Sequence, residues 1–120
     1  MRASSFLIVC CSFISGVANA DILRPNASCA SVVEVMDSSD RQQIGYAVQL
    51  IADALAEADR PFVKAKRGSV VAPLSDDGLT TIVALVIGRC RAGKNATARE
   101  AAESTYTGLR SMQLALGMVR

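Results

Sequence analysis

Histidine is absent from this chain of 120 residues, and so is tryptophan. The first absence removes the commonest general base, the commonest transition-metal side-chain ligand and the side chain that titrates near neutral pH. Ser/His and Cys/His nucleophile pairs cannot be built. Gly88 and Gly93 stand too far apart to form a phosphate-cradling loop. Aromatic residues make up only 4% of the chain, and prolines number three. An excess of one charge is lacking too. The 13 basic and 11 acidic residues leave a net charge of +2, too little to draw in nucleic acid. What is abundant is apolar character. A hydrophobic content of 51% excludes a disordered low-complexity chain, and the length suits one domain. The expectation is a protein that is not an enzyme and takes no cofactor and no metal.

The first twenty residues read as an address. Arg2 gives a short basic start, residues 6–14 (FLIVCCSFI) are apolar, and Ala18-Asn19-Ala20 is a small-x-small cleavage signature. A secretory signal peptide over residues 1–20 is expected, with the domain over residues 21–120. The competing reading is an uncleaved anchor or an N-terminal core helix. The apolar run is short for a bilayer, and the later run at residues 81–88 ends at Arg89 and Arg91, so no stable membrane insertion is expected.

Cleavage removes Cys10 and Cys11 and leaves Cys29 and Cys90 in an oxidising compartment. A disulfide between them is the simplest reading, with two free thiols as the alternative. Closing a loop of some sixty residues contributes up to about 4 kcal/mol in the chain-entropy model.

Four helices are expected, hence an all-α domain with one disulfide. Residues 29–36 make one or two turns. Ser39 with Gln42 matches a capping box that opens a second helix, running to about Asp59 and stopped by Pro61. Ile44, Ala47, Val48, Ile51, Ala54, Leu55 and Ala58 form its inner stripe, with Asp53, Glu57 and Asp59 largely outside it. Residues 60–74 read as a loop, with a brief extended piece at residues 69–71. Ser75 caps a third helix to about Arg91, closed by Gly93. Its β-branched residues leave a buried strand as the alternative. Thr97 with Glu100 caps a fourth helix to about Leu116, with Ala98, Ala101, Ala102, Thr105, Leu109, Met112 and Leu116 inward and Gly117 at its end.

The charged groups are mostly unremarkable. Asp76-Asp77 and Glu100 with Glu103 read as helix starts and solvated faces. Arg60, Lys64, Lys66 and Arg67 form a basic cluster that reads as a solvated loop, with an anionic partner as the alternative. Acid is more informative. The cleaved chain loses one of 13 basic residues and none of 11 acidic ones, leaving a formal +1. Protonating every carboxylate leaves its twelve cations unopposed. With no histidine, that change falls in the carboxylate range, about pH 3 to 5. Asp and Glu at helix starts, such as Asp76 and Glu100, are expected to be held below their ordinary values by caps and dipoles.

Cys29 opens a short apolar turn, and Ile44-Gly45-Tyr46-Ala47 and then Leu50 follow. Leu79-Thr80-Thr81-Ile82-Val83 leads to Cys90, and Arg91, Lys94 and Asn95 precede a last helix. In these residues the chain resembles the periplasmic acid-stress chaperones of the HdeA/HdeB type, over most of residues 29–109. The resemblance implies a disulfide from the first short helix to the third, and a homodimer at neutral pH. It implies that the dimer dissociates and partly unfolds in acid, binding unfolded periplasmic proteins. Ile44, Gly45 and Tyr46 match the surface hidden in the dimer and used for clients. Periodicity alone leaves Ile44 open between core and interface and sets Tyr46 off the stripe. The alternative function is a small secreted inhibitor or immunity-type module that binds one specific partner protein.

Overall fold

The structure, a computed structural model, describes residues 24–120. The expected signal peptide, Cys10 and Cys11 lie outside the described residues. Among the described residues four helices follow one another: α1 (Cys29–Met36), α2 (Arg41–Lys64), α3 (Asp76–Arg91) and α4 (Ala98–Ala115). No strand forms among the described residues. The all-α class and the Cys29–Cys90 disulfide are both present.

Each helix starts on a side-chain acceptor that satisfies amides the helix itself leaves free. Ser28 accepts from the Ser31 amide, and Ser75 from the Gly78 amide. Thr97 and Glu100 form the reciprocal box: the Glu100 amide donates to Thr97 Oγ1 at 3.1 Å, and Glu100 Oε1 accepts from the Thr97 amide. The expected box at Ser39 does not form. Asp40 caps α2 instead, its Oδ1 accepting from the Gln42 and Gln43 amides. A carboxylate takes both amides at once and suits the positive end of the helix dipole better than a hydroxyl does.

Pro61 does not stop α2, which runs one further turn to Lys64. A proline deletes one backbone donor and crowds the carbonyl four residues back, a cost of about 3 kcal/mol in a helix interior. Here the turn it belongs to carries Phe62 onto Tyr106, ring centroids 6.0 Å apart, and under the Arg110 guanidinium, and that packing works against the loss. The third helix is not a strand. Thr80 and Thr81, which favour strands, donate their hydroxyls to the carbonyls of Asp76 and Asp77. At its end Gly93 has φ +70°, and at the end of α4 Gly117 has φ +74°, the left-handed conformation that lets the last carbonyls be capped. Residues 69–71 are irregular, the Ala72 amide donates to Ser69 Oγ, and no extended piece is present.

The core runs through all four helices: Val32 from α1, Ile51 and Leu55 from α2, Val86 from α3, Ala101 and Ala102 from α4. Val70 from the α2–α3 loop and Val119 from the tail are buried as well. A short antiparallel bridge sets the starts of α1 and α4 side by side. The Cys29 amide donates to the Ala96 carbonyl, and the Ala98 amide to that of Ala27. The stripe of α4 departs from the expected one in its second half. Met112 and Leu116 are exposed, while Tyr106 and Arg110 are buried. Beyond Thr105, α4 packs against the end of α2 and the loop rather than a full helix, and the polar atoms waiting there select a guanidinium.

Candidate functional site

The residues singled out by resemblance lie in the first turns of α2. Ile44 is half-buried, Gly45 is exposed with open space where a Cβ would stand, and Tyr46 is exposed. Tyr46 Oη accepts from Gln42 Nε2 at 2.9 Å. Ile44 and Tyr46 are two positions apart on a helix and so point to different sides. Tyr46 borders an open cleft of about 330 Å³, with Leu50 and Ala54 as its apolar wall and Asp53, Glu57 and Arg99 as its charged rim. Gln49 donates to Asp53, Arg60 pairs with Glu57 and Arg99 pairs with Glu103, so the charges of this rim are already engaged.

Cys29 and Cys90 bring the first turn of α1 to the last turn of α3, with Cα atoms 4.9 Å apart. A second link lies beyond the other end of α1. Asp37, the C-cap of α1, accepts from both terminal nitrogens of Arg91, at 2.7 and 3.2 Å. The hydrogen bonds from Arg91 hold the Asp37 carboxyl below its ordinary value. This pair is solvent-exposed, so salt screens it.

The buried polar centre is elsewhere, and the sequence reading missed it. Asp59, near the end of α2, is 4% exposed, and Arg110, near the end of α4, is 6% exposed. Asp59 Oδ1 accepts from Tyr106 Oη at 2.6 Å and from the Val70 amide at 3.0 Å, and Oδ2 accepts from Ser69 Oγ. Arg110 lies 3.9 Å from the carboxylate. Its Nη1 donates to Tyr106 Oη and to the Gly68 carbonyl; Nη2 donates to the main-chain oxygens of Arg67 and Arg120. Its guanidinium stacks 3.8 Å above the centre of Phe62, a cation–π contact. Burial works against the charged form of Asp59. The hydrogen bonds from Ser69, Tyr106 and the Val70 and Val71 amides outweigh it, and the carboxyl sits below its ordinary value. Burial and the Asp59 hydrogen bond push the Tyr106 phenol up to about 12.

A signal for this centre was present. Asp59 continues the four-residue row Ala47, Ile51, Leu55, and Arg110 continues the row Ala98, Ala102, Tyr106. A charge where an apolar row continues marks a group that is either solvated at the helix end or buried with partners, and position alone does not distinguish them. The basic cluster is split by the fold. Arg67 donates from Nε to the Arg120 oxygen and lies 5.5 Å from the Phe62 ring centre, whereas Lys64 and Lys66 are exposed. Asp76 and Glu100 are exposed, and among the described residues the buried carboxylate is Asp59.

Among the described residues no group of three or more His, Cys, Asp or Glu side chains gathers as metal ligands do, and no helix is long and apolar enough to cross a membrane. Comparison with protein-family models, with curated proteins and with solved structures finds no match.

Proposed function

We propose that this chain is an acid-activated chaperone of the periplasm, folded at neutral pH and binding unfolded proteins at low pH to prevent their aggregation. The observation that carries the reading is how the helices are tied. A disulfide joins α1 to α3, whereas α2 and α4 are held by packing and by a buried carboxylate that accepts hydrogen bonds on both oxygens. Acid therefore acts on the non-covalent half of the bundle while the covalent half stays closed. The positive charge that builds up as carboxylates protonate keeps a client complex soluble. The resemblance of residues 29–109 to acid-stress chaperones adds weight. Gly45 and Tyr46, exposed on the single chain, suit contact with a second copy at neutral pH and with a client in acid.

The test is light scattering from an unrelated acid-denatured protein, with oligomeric state measured by sedimentation at pH 7 and pH 2. Suppressed scattering at pH 2 but not at pH 7, with a dimer at pH 7 and a monomer at pH 2, is expected. A chain that stays compact at pH 2 and leaves scattering unchanged would overturn the reading and favour a module that binds one specific partner.

A further inference from the structure

Asp59 is surrounded by donors. Ser69 Oγ, Tyr106 Oη and the Val70 amide all point protons at its two oxygens, and the cation of Arg110 lies behind Tyr106. Such a site favours an ionised carboxylate, which is acceptor-only; a carboxylic acid brings a proton of its own and is taken only if a hydroxyl turns its proton away and gives up its bond. Protonation would also leave the buried Arg110 without its counter-ion, a costly state in a low-dielectric interior.

What depends on this centre is one end of the molecule. Asp59 holds the loop through Ser69 and Val70. Arg110 holds the same loop through the Gly68 and Arg67 carbonyls and the tail through the Arg120 oxygen. Loop and tail also hold each other. The Arg120 amide donates to the Arg67 carbonyl, Arg67 Nε donates to the Arg120 oxygen, and the left-handed Gly68 lies against Val119. The titratable and charged groups around Asp59 are Tyr106 and Arg110 from α4. Glu103 of α4, Arg67 of the loop and Arg120 of the tail stand at the rim of the adjoining cleft. On its own helix Glu57 and Arg60 pair with each other on the solvent side.

We propose that Asp59 is an acid-released latch: with Arg110, its carboxylate pins residues 65–74 and the tail at Val119 and Arg120, and its protonation frees that end before the disulfide-linked end opens. Release uncovers Val70, Val119 and Phe62 beside Leu114, Leu116 and Met118, which are exposed already. Phe62 and Leu114 already line one cleft, so release enlarges the apolar surface there. That clients meet this surface rests on the chaperone reading; the latch does not.

The direction in pH follows from the carboxyl's lowered position. Asp59 stabilises the latched form fully above its unfolded value, near 4, and that contribution is lost as pH falls through the lower folded value. Tyr106→Phe keeps the ring on Phe62 and removes one hydrogen bond to the carboxylate. It raises the folded value, so the latch opens at higher pH.

Hydrogen exchange of the oxidised protein, read by mass spectrometry from pH 7 to pH 2 as protection relative to the intrinsic rate, tests this. Residues 65–74 and 116–120 are expected to lose protection at a higher pH than α1 and α3. In Tyr106→Phe that midpoint moves up by about 0.5 to 1 pH unit, the equivalent of one hydrogen bond. In Asp59→Asn the loop and tail are unprotected at pH 7 and show no acid step. Tyr106→Phe carries the test if Asp59→Asn does not fold. Loop and tail that keep protection until α3 loses it, or a Tyr106→Phe midpoint that does not move, would overturn the latch. No client is present, so the two ideas fail separately. A latch that opens without suppressing client aggregation removes the chaperone reading alone, and suppression with all segments opening together removes the latch alone.

Discussion

Tyr106 and Asp59 lie 47 residues apart in the chain and share a 2.6 Å hydrogen bond in the interior. That bond joins the end of α2 to the middle of α4, and Arg110, one turn after Tyr106, completes the centre from the other side. Three polar side chains thus occupy a position where the apolar rows of both helices would otherwise meet. They are satisfied: no buried side-chain nitrogen or oxygen among the described residues lacks a partner. A satisfied buried network fixes one arrangement of helices and loop, and it makes loss of any one member expensive.

Arg110→Lys preserves the charge but not the fork. The four hydrogen bonds from Nη1 and Nη2 reach Tyr106 and three main-chain oxygens, and one ammonium cannot reproduce that set. Stability at pH 7 is expected to fall by about 2 kcal/mol or more, with accelerated exchange in the tail. Urea unfolding measures it, as a lower midpoint at similar slope. An unchanged midpoint would mean the network contributes no stability.

The disulfide is expected to be present in the protein isolated without reductant, and Cys29→Ala to lower neutral-pH stability by roughly 2–5 kcal/mol. Intact mass after alkylation without reductant checks the first, and denaturant unfolding the second. Alkylation of both Cys29 and Cys90 in that material would contradict it. Because Asp37 and Arg91 link the same two helices, the reduced chain should keep α1 on α3 better at low salt than at high salt.

Gly45→Ala is expected to stabilise the fold. Gly45 lies inside α2 with nothing near the position of a Cβ, so alanine removes a helix-interior glycine at no steric cost. The gain is about 0.5–1 kcal/mol. Thermal unfolding reads it as a higher midpoint. If the same variant dimerises or protects clients less well, Gly45 is needed at a contact surface rather than in the bundle.

Tyr106 should ionise near pH 12, because burial and its hydrogen bond to Asp59 oppose the phenolate. A raised folded value stabilises fully below the unfolded one, about 10, and is lost as pH rises through 12. Phenolate absorbance and near-ultraviolet dichroism should therefore change together between pH 10 and 12. A Tyr106 phenol with its ionisation midpoint at about pH 10 and the fold intact would contradict it.

Local signals in the chain sufficed for the existence of four helices, for most of their ends and for a candidate cysteine pair. Caps at Ser75 and at Thr97 with Glu100, four-residue apolar spacing and glycines at 93 and 117 are local signals. Local hydrogen bonding and chain geometry suffice to read them. The cysteine pair was legible for a different reason: only two remain once residues 1–20 are set aside, so partner choice needs no structure. The tertiary structure alone decided the rest. Whether Pro61 ends α2 depends on what Phe62 finds to pack against, 44 residues further on. Asp59 and Arg110 instead of solvated charges became the buried centre, and Met112 and Leu116 became surface. Those choices rest on the backbone amides and carbonyls of residues 67–71 and 120, which carry no sequence signature and act only where the fold has placed them.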